Sequence, residues 1–257
     1  MKAVILAAGQ GTRLRPLTED RPKGMVAVAG KPIIQWQVEM LRSQGIGEIA
    51  IVKGYAADSV VDLGFRQFVN VEFESTNMVH SLFCADDFLT GDVIVSYADI
   101  LYSERVLKAV ANSSEPISVA VDLNWERYFA ERFGDAFDDA ESLVIDDTGA
   151  ITSIGKPDPT PEEVQAQYIG LIKVKADGVD FIRSIYADSL ATHRSIGWGR
   201  RPKQAHMTDL LQEAVLRGCR VTAVPIRGGW VEIDTLDDYE IANRTVPTIL
   251  GVAEPRS

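Results

Sequence analysis

Cysteine is scarce in this 257-residue chain: Cys84 and Cys219 are the only two. Both sit in apolar-periodic segments, SLFCADDFL and AVLRGCRVTAV. They supply no disulfide framework and read as buried free thiols of a cytoplasmic protein. No apolar run approaches the roughly 20 residues of a bilayer-spanning helix, so no membrane partner is expected. Surplus positive charge is missing too, since 26 Lys and Arg face 37 Asp and Glu for a net charge of −11. Binding a nucleic-acid backbone demands a basic face, so a general nucleic-acid partner is excluded. A small anionic ligand is not, because a few local cations and aligned N–H groups suffice for it. The opening MKAVILAAGQGTR lacks the cleavage-type region of a signal peptide and reads as a buried first strand.

What is present is an ordinary globular balance, 46% hydrophobic and 25% charged, long enough for one large α/β domain or two small ones. KAVILAAG reads as strand, KPIIQWQVEMLRSQG as amphipathic helix and EIAIVKG as strand, with a short helix over Ala57–Leu63. FVNVEFE reads as a third extended run, MVHSLFCADDFL as a helix opened by Thr76 or Asn77, and DVIVSYADI as a fourth strand. ISVAVDL and LVIDDTGAITSIG are strands joined by an acidic, aromatic stretch, NWERYFAERFGDAFDDAE, and DDTGAI is a hairpin turn. PDPTPEEVQ is a loop, QYIGLIKVK a strand, DGVDFIRSIYADSL and MTDLLQEAVLRG helices, and RVTAVPI a last strand. Apolar strands alternating with helices predict a Rossmann-like α/β fold. Its sheet is mostly parallel but mixed and flanked by helices, with a substrate-binding insertion in the second half. We expect one domain over 1–243, with a nucleotide-binding part at about 1–110 and an acceptor-binding part at about 111–243. Residues 244–257 are expected as a tail.

The segment after the first strand, LAAGQGTRL, places Gly9 and Gly11 where backbone must approach a ligand closely, and Arg13 brings a planar cationic fork. A tight strand-to-helix turn would show the same pattern. It is not the dinucleotide fingerprint, whose third glycine is absent, nor a phosphate loop of the Gly-Lys-Ser/Thr kind. Two aspartates, Asp99 in SYADILY and Asp234 in VEIDTLDD, stand where strands end. Carboxylates there suit Mg²⁺, which takes one or two of them plus substrate oxygens and water. By pattern alone Asp99 is equally a turn or cap, and Asp234 equally the N-cap of the following helix.

The whole opening, KAVILAAGQGTRLRPLTEDRPKGMVAVAGKPII, resembles the nucleotidyltransferases that include the sugar-1-phosphate nucleotidylyltransferases and phosphocholine cytidylyltransferases. The one departure is Gly24-Met25, where that family often has Cys or Ala followed by Leu or Met. The resemblance implies that Ala7, Ala8, Gly9, Gly11, Thr12 and Arg13 wrap the nucleotide, and that Arg13 and Lys23 are catalytic contacts to its phosphates. It also implies that Asp99 and Asp234 jointly hold a catalytic Mg²⁺. TNMVHSLFCA, SYADILY, NWERYFAERF, QYIGLIKV and MTDLLQ resemble the phosphocholine cytidylyltransferase branch. That branch looks like the enzymes activating aminoethylphosphonate and phosphoglutamine. CTP is then the expected nucleotide, with Asn77 and Ser81 near it or near the acceptor phosphate. The expected reaction is transfer of CMP to a small phospho- or phosphono-acceptor with release of pyrophosphate. Thr76-Asn77-Met78 and Tyr97-Ala98-Asp99 replace the segments usual in sugar-1-phosphate enzymes. That disfavours the alternative of a sugar-1-phosphate nucleotidylyltransferase. Retention of Arg13, Lys23, Asp99 and Asp234 together disfavours a silent nucleotide-binding regulatory subunit.

The acceptor site is expected among Trp125, Arg132, Asp139, Glu141, Gln167, Tyr168, Trp230 and Glu232. Trp125 offers a π-face to an ammonium group, or packs with Tyr128 and Phe129. Arg132 offers a cation to the acceptor phosphate, and Asp139 and Glu141 offer charge to an amine, or all three form ordinary loop ion pairs. Gln167 and Tyr168 line the pocket or make structural hydrogen bonds. Trp230 borders the site or only packs, and Glu232 is close enough to Asp234 to assist. A homo-oligomer is compatible with all of this.

Overall fold

The computed structural model describes residues 1–251 except 61 and 63. Its centre is a seven-stranded sheet, with β1 at Lys2–Ala7, β2 at Ile49–Lys53, β3 at Arg66–Val69 and β4 at Val93–Tyr97. β5 follows at Ile117–Asp122, β6 at Gln167–Val174 and β7 at Val221–Ile226. Across the sheet the order is β7-β5-β6-β4-β1-β2-β3. Only β6 runs against its neighbours, pairing antiparallel with β4 and β5, while the other pairs are parallel. The chain leaves β1 with β2 on one side and β4 on the other, which opens a crevice at the carboxyl end of β1. Open α/β sheets bind ligands at such a point.

The strands read as unbroken apolar runs because both faces are covered. Along β1, Val4 and Leu6 face one core, against α2 (Met78–Phe83), α5 (Ala176–Thr192) and α6 (Met207–Leu216). Ala3, Ile5 and Ala7 face the other, against α1 (Ile33–Ser43), α3 (Glu104–Ala111) and α4 (Trp125–Phe133). A third cluster joins Leu14, Val26, Val28, Leu101, Val231 and Ile233 to Ala242 and Val246 of α7 (Leu236–Leu250). This last helix therefore buttresses the segments that carry Arg13, Lys23, Asp99 and Asp234.

Several elements differ from the sequence expectation. The alternating FVNVEFE is extended only at its start. The Asn70 side chain accepts from Glu72 N–H at 3.0 Å, and Ser75 N–H then donates to Glu72 C=O at 3.0 Å, closing a turn. An Asx-type bond of this kind competes with strand pairing. The acidic, aromatic stretch after β5 is helical over α4, because Trp125, Phe129 and Phe133 recur at helical spacing and meet edge to face. The helix expected over 57–63 is a single 3₁₀ turn at Ala57–Ser59, and 61 and 63 lie outside the described residues. The segment from 244, expected as a tail, continues α7 to Leu250, while 252–257 lie outside the described residues. The predicted hairpin is present as Leu143–Ile145 paired antiparallel with Ile151–Ile154, a two-stranded ribbon separate from the main sheet. Gln212 of α6 accepts from Ile154 N–H at 2.9 Å and fixes that ribbon.

Gly170 lies where β6 shifts register against β5. Its φ is +82°, and a Cβ there would come 2.7 Å from the Tyr97 ring. Both terms oppose a side chain. Gly170→Ala should therefore cost about 2 kcal/mol of unfolding free energy, read as a lower urea midpoint at unchanged slope. An unaltered midpoint would remove the claim that this close approach is needed.

Candidate active site

The loop after β1 forms one wall of a cleft of about 290 Å³, to which Ala7, Ala8, Gly9, Gly11, Thr12 and Arg13 all contribute. Gly11 has φ +61°, and a Cβ on it would stand 3.0 Å from Lys23 Cγ, so the loop must rest directly on the Lys23 stem. Thr18 Oγ1 donates to Gly11 C=O at 2.7 Å and Tyr55 N–H to Ala8 C=O at 3.0 Å, holding the loop open. Among the described residues no acceptor takes the N–H groups of Gly9, Gln10 and Gly11. Unpaired amides in succession form an anion cradle. Asn77 and Ser81 line the opposite wall. Asn77 caps α2, its Oδ1 accepting from Met78 N–H at 2.8 Å, so capping and lining coexist.

At the far end of the cleft the charges meet. Asp99 sits in the turn between β4 and the short strand Ile100–Tyr102, which pairs with Trp230–Glu232 and so brings Asp234 alongside. Ile233 N–H donates to Asp99 C=O at 2.8 Å and fixes the two chains together. The Lys23 ammonium donates to Asp99 Oδ2 at 2.8 Å and also pairs with Asp234. Arg13 pairs with the second Asp234 oxygen. Asp99 Oδ1 is buried and has no hydrogen-bond partner. Two carboxylates converging on one cation, one of them with an unengaged oxygen, are a donor set suited to a divalent ion completed by substrate oxygens and water. It is a pair, since among the described residues no group of three or more such ligands converges.

Several residues that hold this constellation gave no functional signal in the sequence. Gln37 on α1 is 1% exposed and donates through Nε2 to Tyr97 C=O at 2.7 Å and Ile100 C=O at 2.6 Å, clasping the Asp99 turn. Asp238, 1% exposed, accepts from Asp234 N–H at 3.1 Å and Thr235 N–H at 2.9 Å. It was legible only as the fourth member of a T-x-x-D capping box. Arg132 is its partner, with Nε to Asp238 Oδ1 at 2.7 Å and a second bond to Oδ2 at 3.1 Å. A third Arg132 nitrogen reaches Glu232 at 2.6 Å.

The acceptor expectation divides in two. Asp139, Glu141, Gln167, Tyr168, Trp230 and Glu232 all line a second cavity of about 360 Å³. Arg13, Lys23, Asp99 and Asp234 line both cavities and form their junction. Trp125 and Arg132 require correction. Trp125 is buried at 2% exposure between Phe129 and Phe137, because its ring completes the apolar face of α4. Arg132 is buried with its guanidinium engaged by Asp238 and Glu232, a bidentate lock that leaves it for positioning rather than for substrate. The Gln167 amide is likewise spent, exchanging bonds of 3.0 and 2.9 Å with the Glu141 backbone. Trp230 presents its ring to the cavity while its Nε1–H donates to Asp122 at 2.8 Å. Phe129, His206 and Thr208, none of them expected there from the sequence, also line it. The Tyr168 hydroxyl is buried there without a partner.

Carboxylates crowd this cavity. The enclosing walls, and then Glu232, Asp139 and Asp209, push the Glu141 carboxyl up to about 7. Enclosure raises the Glu232 carboxyl as well, and the Arg132 guanidinium partly offsets it.

The chain is similar to known proteins. The chain is 37% identical to the CTP:phosphoglutamine cytidylyltransferase of Campylobacter jejuni over 253 residues, 94% of this chain and 98% of that one. It is 32% identical to the choline-phosphate cytidylyltransferase of Streptococcus pneumoniae over 157 residues, 60% of this chain and 68% of the other. The solved structure of the CTP:phosphocholine cytidylyltransferase of S. pneumoniae superposes with a TM-score of 0.74 at 23% identity, covering 95% of this chain and 98% of that one. At that identity the superposition speaks for the fold. The pattern of the nucleotidyl transferase family matches residues 2–248, and with a cradle, paired cations and paired carboxylates all in place the chain belongs to that family.

Proposed function

We propose that this enzyme transfers CMP from CTP to a small phospho- or phosphono-acceptor bearing an amine, releasing pyrophosphate. The observation that carries the reading is the junction of the two cavities at Arg13, Lys23, Asp99 and Asp234. The cytidylyltransferase relatives support the nucleotide and the phosphorylated acceptor. The part over about 1–110 then serves the nucleotide and that over about 111–243 the acceptor, within one unit over 1–243. Asp234 crosses that division to reach the nucleotide cleft. We assign the reaction to the cytoplasm, a reducing compartment in keeping with the free thiols Cys84 and Cys219.

The chemistry follows from charge. An acceptor oxygen attacks the α-phosphorus of CTP, a new P–O bond forms, and the α–β bridging bond breaks with its electron pair leaving on pyrophosphate. The nucleophile is already anionic near neutral pH, the second phosphate pKa being about 6, so no side chain need take a proton. The obstacle is the approach of two anions. The Gly9–Gly11 amides hold phosphate oxygens, and Lys23 and Arg13 offset charge where it builds on the leaving group. Asp99 and Asp234 would hold Mg²⁺, which when bound neutralises and orients phosphate oxygens. In the second cavity Asp139, Glu141 and Glu232 provide negative charge against an ammonium group, and the rings of Trp230 and Tyr168 provide π-faces.

A pyrophosphate-release assay with CTP against phosphocholine, aminoethylphosphonate, hydroxyethylphosphonate, phosphoglutamine and sugar phosphates tests the assignment. Turnover is expected with amine-bearing acceptors, and turnover confined to sugar phosphates would refute it. Lys23→Ala should lower kcat by roughly 10²-fold or more with the far-UV CD spectrum unchanged. A variant at the wild-type rate would strip Lys23 of its role. With its carboxyl pushed up to about 7, Glu141 becomes predominantly anionic only as pH rises past that value. The KM for an amine-bearing acceptor should therefore fall as pH rises through about 7, and fall less in Glu141→Gln. The acceptor phosphate titrates alike in both proteins, so their difference isolates the carboxyl. Identical pH profiles would show that Glu141 does not face the amine.

A further inference from the structure

The part of the nucleotide cleft not shared with the acceptor cavity carries no ionisable side chain. Leu6, Ala8, Phe73, Thr76 and Ser81 line the nucleotide cleft and not the acceptor cavity. That lining suits a base rather than phosphates. Just behind it lies Asn70, one residue past β3 and 1% exposed, with its backbone N–H donating to Lys53 C=O at 2.7 Å.

The polarity of the Asn70 amide is set by its surroundings. Its Oδ1 meets Glu72 N–H at 3.0 Å, and a backbone N–H can face only an oxygen. The two hydrogens on Nδ2 therefore point the other way, one to Thr76 Oγ1 at 2.9 Å and one to Ser81 Oγ at 3.0 Å. Thr76 has committed its own hydrogen to Glu72 C=O at 2.8 Å. It can offer the cleft only a lone pair. Ser81 Oγ accepts from Asn70, and among the described residues nothing accepts its hydrogen. It can offer the cleft a donor. An acceptor and a donor thus sit side by side, each fixed by one arm of the same amide.

We propose that Asn70 is a specificity-determining positioning residue that makes this pair read cytosine and reject uracil. The inference rests on the CTP reading above. Cytosine presents an amino donor at C4 beside an acceptor at N3, which meets Thr76 and Ser81 in turn. Uracil reverses both, with a carbonyl oxygen at C4 facing the Thr76 lone pair and an N3–H facing the Ser81 hydroxyl hydrogen. A buried polar pair matched to one partner discriminates strongly against its reversed analogue, because both groups of the site are then left unpaired. Asn70 need not touch the base.

The test is the ratio of kcat/KM for CTP to that for UTP, measured with one acceptor on wild type, Asn70→Asp and Ser81→Ala. Asn70→Asp keeps an oxygen for Glu72 N–H but turns the other arm into an acceptor, so Ser81 must donate inward and show lone pairs to the cleft. The wild type should favour CTP, and each variant should lower that preference roughly tenfold or more, with the loss falling on CTP. Thermal melts establish which variants fold. Should Asn70→Asp fail to fold, Ser81→Ala and Thr76→Val decide the matter in the same way. Folded variants that keep the wild-type ratio, or that lose both nucleotides by the same factor, would overturn the inference and leave the CTP reading standing. A wild type that uses UTP as readily as CTP would overturn the CTP reading, and the inference with it.

Discussion

One ammonium group shared by two carboxylates organises this molecule. Lys23 lies 76 residues from Asp99 and 211 from Asp234, yet bonds to both. Three chain segments must therefore arrive at one point with opposite charges matched, because an unmatched carboxylate there would bear the full cost of its lost hydration. Lys23 is 17% exposed on its side chain and Asp234 only 7%. Charges so enclosed attract strongly and are little screened by salt. In the proposed reaction the same enclosure would let them act on a transferring phosphoryl group without first reorganising water.

Much of the fold serves that convergence. The parallel sheet delivers Gly9–Arg13 and Asp99 from adjacent strands β1 and β4. The ribbon pairing Ile100–Tyr102 with Trp230–Glu232 brings Asp234 from the far end of the chain. α7 then locks it, since Asp238 caps the backbone at Asp234 and Arg132 of α4 grips Asp238 through two bonds. Arg132 is thus the link between the acceptor-side helix and the carboxylate pair. A locked guanidinium gives up contact with substrate and gains control over where Asp234 and Glu232 point.

The first strands and the first helix were legible because their apolar runs are unbroken and their turns carry glycine. β1, α1 and β2 lie within two residues of where periodicity placed them, and β4 ends three residues before the expected Ile100 because the Asp99 turn interrupts it. The cradle was legible through its glycines and Arg13. FVNVEFE misled because alternation alone cannot reveal that Asn70 captures the next backbone N–H. The acidic, aromatic segment hid a helix because its charges masked the spacing of Trp125, Phe129 and Phe133. Its richest π-face, Trp125, is consumed by packing, and the most inviting cation, Arg132, by an aspartate 106 residues away. Pairings at such separation leave no trace in local pattern. Gln37, whose only work is to clasp two carbonyls beside Asp99, is invisible for the same reason.

The proposed chemistry depends on Asp99 and Asp234 acting as one divalent-ion site beside Lys23. The Mg²⁺ dependence of CMP transfer, measured for the wild type, Asp99→Asn and Asp234→Asn, bears on this most directly. Each substitution should raise the Mg²⁺ required for half-maximal rate roughly tenfold or more, or abolish turnover at every Mg²⁺ level while the protein still melts cooperatively. Two folded variants with the wild-type rate at the wild-type Mg²⁺ requirement would contradict it.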